Sequence, residues 1–204
     1  MIDLYSGTPG SGKSLHTAYK LYWWLRAGKP AICNFDIDLK KISKKHPEKL
    51  HFTEVDNQEI TPAFLRHFTK YYFHDKQPPE ESVLLVIDEA QLLFNARLWQ
   101  AKGRDDWTAF FSQHRKYGYH IILVAQFDRM LDRQIRSVIE YEYVHRKVSN
   151  FGIKGKILSL LMGAKVFVAV KVWYPMQEKV SSEFFRARKK YYSIYDTFGT
   201  FTGK

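Results

Sequence analysis

The sequence predicts an α/β fold of three layers, in which helices cover both faces of a mainly parallel central sheet. Residues 83–87 and 121–125 are uninterrupted apolar stretches, which are typical of strands buried on both faces of a parallel sheet. Residues 2–6 form a further apolar strand that runs directly into a glycine-rich turn. A helix with apolar periodicity follows the turn at residues 13–26, so the first elements form a strand–turn–helix unit.

The glycine-rich turn is the most specific signal in the chain. Residues 7–14 fit the pattern G-x-x-x-x-G-K-[S/T] at every fixed position. Its glycines let the backbone adopt conformations that a Cβ would forbid, so several N–H groups can converge on one anion. The following helix adds free amides and the positive end of its dipole. The turn therefore predicts a phosphate-binding loop made of Gly7, Thr8, Pro9, Gly10, Ser11, Gly12, Lys13, Ser14 and Leu15.

Two side chains of this phosphate loop are predicted to act on a nucleoside triphosphate. The Lys13 ammonium would reach the β- and γ-phosphates, and the Ser14 hydroxyl would be a ligand of Mg²⁺. The alternative is a glycine-rich turn that fits the pattern by chance. A strand before the loop and a helix after it favour the phosphate-binding interpretation.

The second strong signal is a pair of acids at the end of the apolar strand 83–87. The carboxyl end of a central strand lies at the crevice where open α/β sheets bind ligands. Asp88 is predicted to hold Mg²⁺ through water, and Glu89 to orient and deprotonate the attacking water. Together with the phosphate loop, this pair predicts a Mg²⁺-dependent hydrolase of nucleoside triphosphates.

A strand that ends in two adjacent acids resembles the acidic strand of one branch of P-loop NTPases. Proteins of this branch have a catalytic glutamate and an added strand. That strand lies between the phosphate-loop strand and the acidic strand, and we predict that residues 31–35 form it. Gln126 ends the strand at 121–125 and is predicted to face the γ-phosphate; the alternative is an amide that caps the following helix. The sequence contains no Asn-Lys-x-Asp string for reading guanine, so ATP is the predicted nucleotide.

The last third of the chain differs from the rest. Alternating apolar residues at 138–144 and 166–173 predict an antiparallel extension of the sheet. We therefore predict a single domain over residues 1–204, with a nucleotide-binding core at about 1–137 and a β extension with a basic tail at about 138–204. Residues 150–163 are basic at one end and apolar at the other, and are expected to contact a membrane surface, a neighbouring subunit or their own sheet.

Charge and composition restrict the class of protein. The net charge of +11 at pH 7 predicts an anionic partner, such as nucleic acid or an anionic membrane surface. The single cysteine, Cys33, excludes an internal disulfide and fits a reducing compartment. The phosphate loop begins too early to leave room for a signal peptide. No run of about 18 uncharged apolar residues occurs, so no membrane span is expected within the sequence.

These features, in this order, resemble the zonular occludens toxin (Zot) family, which includes the gene I-type assembly proteins of filamentous phages. The resemblance rests on residues 2–14, the string VIDEAQ at 86–91, HR at 114–115 and AQ at 125–126. It covers essentially the whole sequence, as the N-terminal cytoplasmic domain of that family. Matched residue by residue, the resemblance implies the same roles for the phosphate loop and the two acids as those predicted above.

The resemblance also implies a location and partners. The domain would be an ATPase motor at the cytoplasmic face of the bacterial inner membrane, where it drives phage extrusion. Its expected partners are further copies of itself, inner-membrane phage assembly proteins, the export channel, a single-stranded phage DNA–protein complex and the anionic membrane surface. In the family, a membrane span and a periplasmic region follow this domain, and a span is therefore expected after residue 204.

Three other functions remain open from the sequence. A single-stranded nucleic-acid translocase or helicase shares the acidic strand, but usually needs two motor domains or a hexameric ring. A small-molecule kinase would need a lid and an acceptor site, and no arginine-rich lid is evident. A nucleotide-gated scaffold would bind ATP without hydrolysing it. If the protein is an oligomeric motor, the candidates for an arginine acting on a neighbour's γ-phosphate are Arg115, Arg129, Arg133 and Arg136.

Overall fold

The computed structural model describes residues 1–96, 104–153 and 165–195. Within these residues, eight strands form one continuous sheet. The strands are β1 (Ile2–Ser6), β2 (Ala31–Cys33), β3 (Phe52–Glu54), β4 (Val83–Ile87), β5 (Tyr119–Val124), β6 (Tyr141–Lys147), β7 (Val166–Trp173) and β8 (Glu178–Arg186). The helices are α1 (Lys13–Arg26), α2 (Leu39–Ile42), α3 (Pro62–Tyr72), α4 (Arg104–Ser112), α5 (Arg133–Ser137) and α6 (Lys189–Tyr192).

The strand order in the sheet is β3-β2-β4-β5-β1-β6-β7-β8. The first six strands in this order, which end with β6, are parallel to one another. β7 is antiparallel to β6, and β8 is antiparallel to β7. The prediction of a mainly parallel sheet with an antiparallel C-terminal extension is therefore confirmed. The alternating run at 138–144 does not begin that extension, because the connection through α5 brings β6 back parallel to β1.

The strand inserted between the phosphate-loop strand and the acidic strand is β5, and the prediction that residues 31–35 form it was wrong. β5 pairs with β1 on one side and with β4 on the other. β2 lies on the far side of β4. Both β2 and β5 are apolar and fully buried, so their residue types alone do not determine which of them is inserted.

An apolar core lies on each face of the sheet. Alternate residues of β4 divide between the two cores, as the two-residue period of a strand requires. Leu84 and Val86 belong to the core that contains α1, whereas Leu85 and Ile87 belong to the core that contains α3 and α4. Helices on both faces complete the predicted three layers, and the carboxyl ends of β4, β5 and β1 lie at one edge.

The last described helix, α6, packs on α1 through aromatic side chains. The buried Tyr191 ring contacts the rings of Tyr19 and Tyr22, and the Lys190 ammonium lies 5.0 Å from the Tyr22 ring. In the part of the chain described here, no helix is both long and apolar enough to cross a bilayer. Most of the predicted contact segment at 150–163 falls outside the described residues.

Candidate functional site

The turn between β1 and α1 can be formed only by glycine at two of its positions. Gly7 has a φ of 140°, and a Cβ there would lie 2.6 Å from the carbonyl oxygen of His145. Gly12 has a φ of 103°, and a Cβ there would lie 2.7 Å from the Phe167 ring. The Gly7 N–H donates to the Gln126 carbonyl at 3.0 Å. The loop is therefore held closely against the neighbouring strands, and a side chain at either position would displace it.

Most backbone amides of this phosphate loop have no acceptor among the described residues. The Ser11 N–H donates to the Thr8 carbonyl at 3.1 Å. Within the described residues, the Ser11 Oγ is buried without a partner. Among the described residues, there is likewise no acceptor for the N–H groups of Gly10, Gly12, Lys13, Ser14 and Leu15. Because buried polar groups are normally paired, free amides at a helix N-terminus indicate an anion site.

Lys13 folds back on the loop that precedes it. Its Nζ donates to the Gly7 carbonyl at 2.6 Å and to the Thr8 carbonyl at 3.4 Å. Burial lowers the pKa of Lys13, while the charges of Glu89 and Asp88 oppose this decrease. The ammonium and the two carboxylates are therefore close enough to interact. The structure thus brings together the phosphate loop and the pair of acids after β4, which were the two strongest signals in the sequence.

The backbone of Asp88 is fixed by the side chain of Asn34, which follows β2. The Asn34 Oδ1 accepts from the Asp88 N–H at 2.7 Å, and its Nδ2 donates to the Asp88 carbonyl at 2.8 Å. The same Nδ2 donates to Asn57 Oδ1 at 2.9 Å. Asn34 thus continues the pairing of β2 with β4 beyond the last paired residues, and this pairing sets the position of Asp88.

Replacement of Asn34 by alanine should lower the free energy of unfolding by about 2–4 kcal/mol, because it leaves two backbone groups of Asp88 without partners. Asn57→Ala is the matched control, since it removes only one hydrogen bond of the same amide and should cost about 1 kcal/mol. Chemical denaturation followed by tryptophan fluorescence measures both losses. Equal losses in the two variants would contradict this role of Asn34.

Both carboxylate oxygens of Asp88 accept hydrogen bonds. The Glu89 N–H donates to Oδ1 at 2.9 Å, and the Tyr195 hydroxyl donates to Oδ2. Burial raises the pKa of Asp88, and these two hydrogen bonds oppose the increase. Burial and the neighbouring Asp88 carboxylate raise the pKa of Tyr195, so its hydroxyl stays protonated and can donate. Tyr195, just beyond α6, therefore occupies one oxygen of the predicted metal ligand.

Glu89 has an unusual backbone conformation. Its φ of 47° lies in the left-handed region, which residues other than glycine adopt rarely. Its carboxylate accepts a hydrogen bond from the Gln91 Nε2. Strained backbone of this kind persists where the surrounding structure holds it, and it is concentrated at functional sites. The conformation and the contact with Gln91 fix the Glu89 side chain next to Asp88.

Gln126 lies at the end of β5, between the phosphate loop and the acidic strand. Its side chain is partly exposed, and its carbonyl binds the Gly7 N–H. The alternative role as a helix cap is wrong. Asp132 caps α5 by accepting from the Gln134 N–H at 2.8 Å, and the 3-10 turn at 128–130 has no side-chain cap. The predicted sensing of the γ-phosphate stays a prediction.

Two buried histidines lie behind the loop and connect α1 with β6. The His16 Nδ1 is 2.9 Å from the His145 Nε2, and the His145 Nδ1 is 3.1 Å from the Ser6 carbonyl oxygen. Burial, together with the neighbouring His145, lowers the pKa of His16 to about 3. Burial lowers the pKa of His145 to about 4. Both rings are therefore neutral near pH 7, and they link the two elements without adding charge near the phosphate loop.

The two side chains that hold Asp88 were not predicted from the sequence. Asn34 is a polar residue at the end of an apolar strand, which is the same signal that identified Gln126. Tyr195 follows a basic run and belongs to no motif, so no local pattern identifies it. By contrast, Lys13 and the two acids lie at one edge because the parallel strands β1 and β4 both end there.

The glycine-rich loop after β1, the acids after β4 and the strand inserted between them define a P-loop NTPase fold. The genome packaging NTPase B204 from Sulfolobus turreted icosahedral virus 2, in complex with ATP-gammaS, has this fold with a TM-score of 0.54 and 16% identity, covering 92% of this chain and 97% of that one. EssC (ATPases 2 and 3) from Geobacillus thermodenitrificans has a TM-score of 0.50 and 12% identity, covering 91% and 39%. At such identities the likeness establishes the fold alone.

The family model of zonular occludens toxin (Zot) matches residues 1–204, and the chain belongs to this family. The N-terminal domain of zonular occludens toxin from Neisseria meningitidis has a TM-score of 0.56 and 19% identity, covering 96% of this chain and 98% of that chain.

The Gene 1 protein of Enterobacteria phage M13 is 27% identical over 173 residues, which are 81% of this chain and 48% of that protein. The Gene 1 protein of Salmonella phage IKe is 25% identical over 219 residues, covering 98% and 57%. The chain spans about half the length of the curated relatives it matches.

Proposed function

We propose that this chain is an ATP-binding and ATP-hydrolysing motor domain that drives filamentous phage assembly and extrusion at the cytoplasmic face of the bacterial inner membrane. The observation that carries the proposal is the composition of one sheet edge. Free amides of the phosphate loop lie there with the Lys13 ammonium and the carboxylates of Asp88 and Glu89. Membership of the Zot family and the phage Gene 1 relatives support the role in phage assembly.

The residues present fit ATP and Mg²⁺. The free amides and Lys13 would hold the phosphates, while the Ser14 hydroxyl and Asp88 would hold the metal. Among the described residues, no group of three or more His, Cys, Asp or Glu side chains is placed to bind a metal. Mg²⁺ that is bound with a nucleotide needs only one or two carboxylates, because phosphates and waters complete its shell. When bound, Mg²⁺ supplies positive charge that neutralises the phosphate oxygens.

The chain's own residues supply the rest of the chemistry. Glu89 orients the attacking water and accepts its proton, and Lys13 stabilises the negative charge that develops on the phosphates. Gln126, which follows β5, detects whether the γ-phosphate is present. The Tyr195 hydroxyl holds Asp88 Oδ2 in place, and Asp88 would hold the metal through its remaining lone pairs.

The motor is proposed to work as a homo-oligomer in which one subunit supplies an arginine to its neighbour. Arg129 and Arg133 are exposed, and they take part in no ion pair within the described ranges. Arg115 binds Glu140 at 2.6 Å, and Arg136 lies 3.8 Å from Asp128. Arg129 and Arg133 are therefore the better candidates, because no ion pair within the described residues has to break before they act.

The net charge of +11 supports a negatively charged environment for this motor. Its proposed partners are the inner-membrane phage assembly proteins, the export channel, the single-stranded phage DNA–protein complex and the anionic membrane surface. The exposed basic side chains of Arg186, Arg188 and Lys189 would face that surface, because Lys190 and Tyr191 of α6 pack on α1.

The proposal is tested by phosphate release from ATP at increasing protein concentrations. We expect turnover that requires Mg²⁺, stops on addition of EDTA, and rises faster than linearly with protein because the active form is an oligomer. Vesicles containing anionic lipid should increase turnover at low protein concentration. Tight ATP binding with no turnover under any of these conditions would contradict the motor and favour a scaffold. Strong stimulation by single-stranded DNA without vesicles would favour a nucleic-acid translocase.

A further inference from the structure

A cavity of about 490 Å³ opens beside the phosphate loop. Ser6, Gly7 and Thr8 form one wall of the cavity. The rest of the lining comes from β6, the turn that follows it and residues 126–128 after β5. Its volume lies within the range of about 300–1,000 Å³ that is usual for pockets that bind small molecules. Gly7, Thr8 and Gln126 have roles assigned above, but the other lining residues have no role in nucleotide binding so far.

The direction of a bound nucleotide follows from the order of the strands. Hydrolysis requires the γ-phosphate to lie near Asp88 and Glu89, which follow β4 on one side of β1. The phosphate loop holds the phosphates at the end of β1 itself. The remainder of the nucleotide must therefore leave the loop away from β4, and β6 is the neighbour of β1 on that side. The cavity lies on this path.

Two aromatic side chains line the cavity. Phe127 is 53% exposed and Phe151 is 51% exposed, although phenylalanine is normally buried. Neither ring contacts another aromatic ring within the described part of the protein. Flat aromatic surfaces stack on nucleobases and contribute about 1–3 kcal/mol for each base. The two rings therefore have the chemistry of a base-binding surface.

The rest of the lining is largely polar, and it includes Ser6, Thr8, Gln126, Asp128, Glu142, His145, Arg146, Lys147 and Asn150. Glu142 accepts a hydrogen bond from the Ser6 Oγ, and the Asn150 amide lies on the turn after β6. Polar side chains in a pocket of this size fix the orientation of an organic ligand, and the two aromatic rings supply apolar contact. A pocket for phosphate alone would not need the aromatic rings.

We propose that this cavity binds the nucleoside, base and ribose together, of a nucleotide whose phosphates occupy the loop, and that Phe127 and Phe151 are its stacking surfaces. This inference rests on the proposed function, since it requires the loop to bind nucleotide. It adds the residues that distinguish a nucleotide from an inorganic polyphosphate. The phosphate loop and the cavity are then two parts of one site with separable contributions to affinity.

The test compares two ligands that share a triphosphate and differ only in the nucleoside. Calorimetry with Mg²⁺ measures the binding of ATP and of inorganic tripolyphosphate to the wild type, Phe127→Ala and Phe151→Ala. We expect each variant to weaken ATP binding by about tenfold while tripolyphosphate binding stays unchanged. Tyrosine at either position should retain ATP affinity, because it preserves the ring. Phe184→Ala is the matched control, because this phenylalanine is also exposed but lies on β8, away from the cavity.

Each other outcome overturns the inference in a different way. Unchanged ATP affinity in both alanine variants would show that the nucleoside lies elsewhere. Equal weakening of both ligands would show that the phenylalanines act only through the phosphate loop. If the wild type binds tripolyphosphate as tightly as ATP, the cavity contributes nothing to the affinity for ATP. The proposed binding of phosphates by the loop would then still stand. If the wild type binds neither ligand, the proposed function fails as well.

Discussion

Replacement of Lys13 by alanine is expected to lower ATP hydrolysis by about 10²–10³-fold and to weaken ATP binding. Removal of one preorganised donor to a developing negative charge usually has an effect of this size on turnover. Here the loss is aggravated by the two carboxylates that already act on the Lys13 ammonium. Without it, the triphosphate would enter a site whose nearest side-chain charges are negative. Steady-state phosphate release and calorimetric titration of ATP measure the two effects.

Lys20→Ala is the matched control for this variant. Lys20 lies on the same helix, where its Nζ is 5.8 Å from the Trp24 ring. It should hydrolyse ATP at the wild-type rate, and both variants should unfold at nearly the wild-type temperature, because neither side chain belongs to an apolar core. Turnover by Lys13→Ala within a few-fold of wild type would rule out the proposed phosphate site.

Glu89→Gln is expected to lower hydrolysis by about 10²–10⁴-fold while ATP binding stays at its wild-type strength. A positioned general base contributes an effect of this size, and glutamine has nearly the same shape but cannot accept the proton. The phosphate loop is unchanged in this variant, so the nucleotide should remain bound. The expected product is a protein that holds ATP without turning it over. A single-turnover experiment with radiolabelled ATP measures binding and cleavage in the same sample.

Glu59→Gln serves as the control for removal of one negative charge, because Glu59 is exposed in the loop before α3. It should behave as wild type in both measurements. Wild-type turnover by Glu89→Gln would assign the base to another residue. Loss of ATP binding in the same variant would mean that Glu89 holds the nucleotide or its metal instead of activating water.

The parts of the site that could be predicted from the sequence are those that depend on neighbouring residues. The phosphate loop is one octapeptide between a strand and a helix, and its glycines are required by the local backbone at Gly7 and Gly12. Asp88 and Glu89 follow a strand whose continuous apolar character already indicates burial in a parallel sheet. Because parallel strands end at one edge, their approach to the loop follows from the fold class.

The parts that could not be predicted depend on contacts between distant residues. Asn34 and Tyr195 reach Asp88 across 54 and 107 residues, and hydrogen bonds of this kind have no periodic signature. The position of β5 was missed because β2 and β5 are both mainly apolar and both fully buried. β8 was missed because its residues are largely exposed, so it lacks the alternation by which a half-buried strand is recognised.

The placement of β1 in the middle of the sheet has a consequence for biosynthesis. Ile2 pairs with Ile121, and Asp3 pairs with Tyr141, so β1 leaves the ribosome long before its partners do. At the usual rate of synthesis, roughly ten to thirty seconds pass before both partners have been made. During that time an apolar strand remains without partners, and parallel pairing over such separations is slow and exposed to aggregation. The phosphate loop is therefore completed only when most of the sheet is present, and bound nucleotide would select chains that have finished folding.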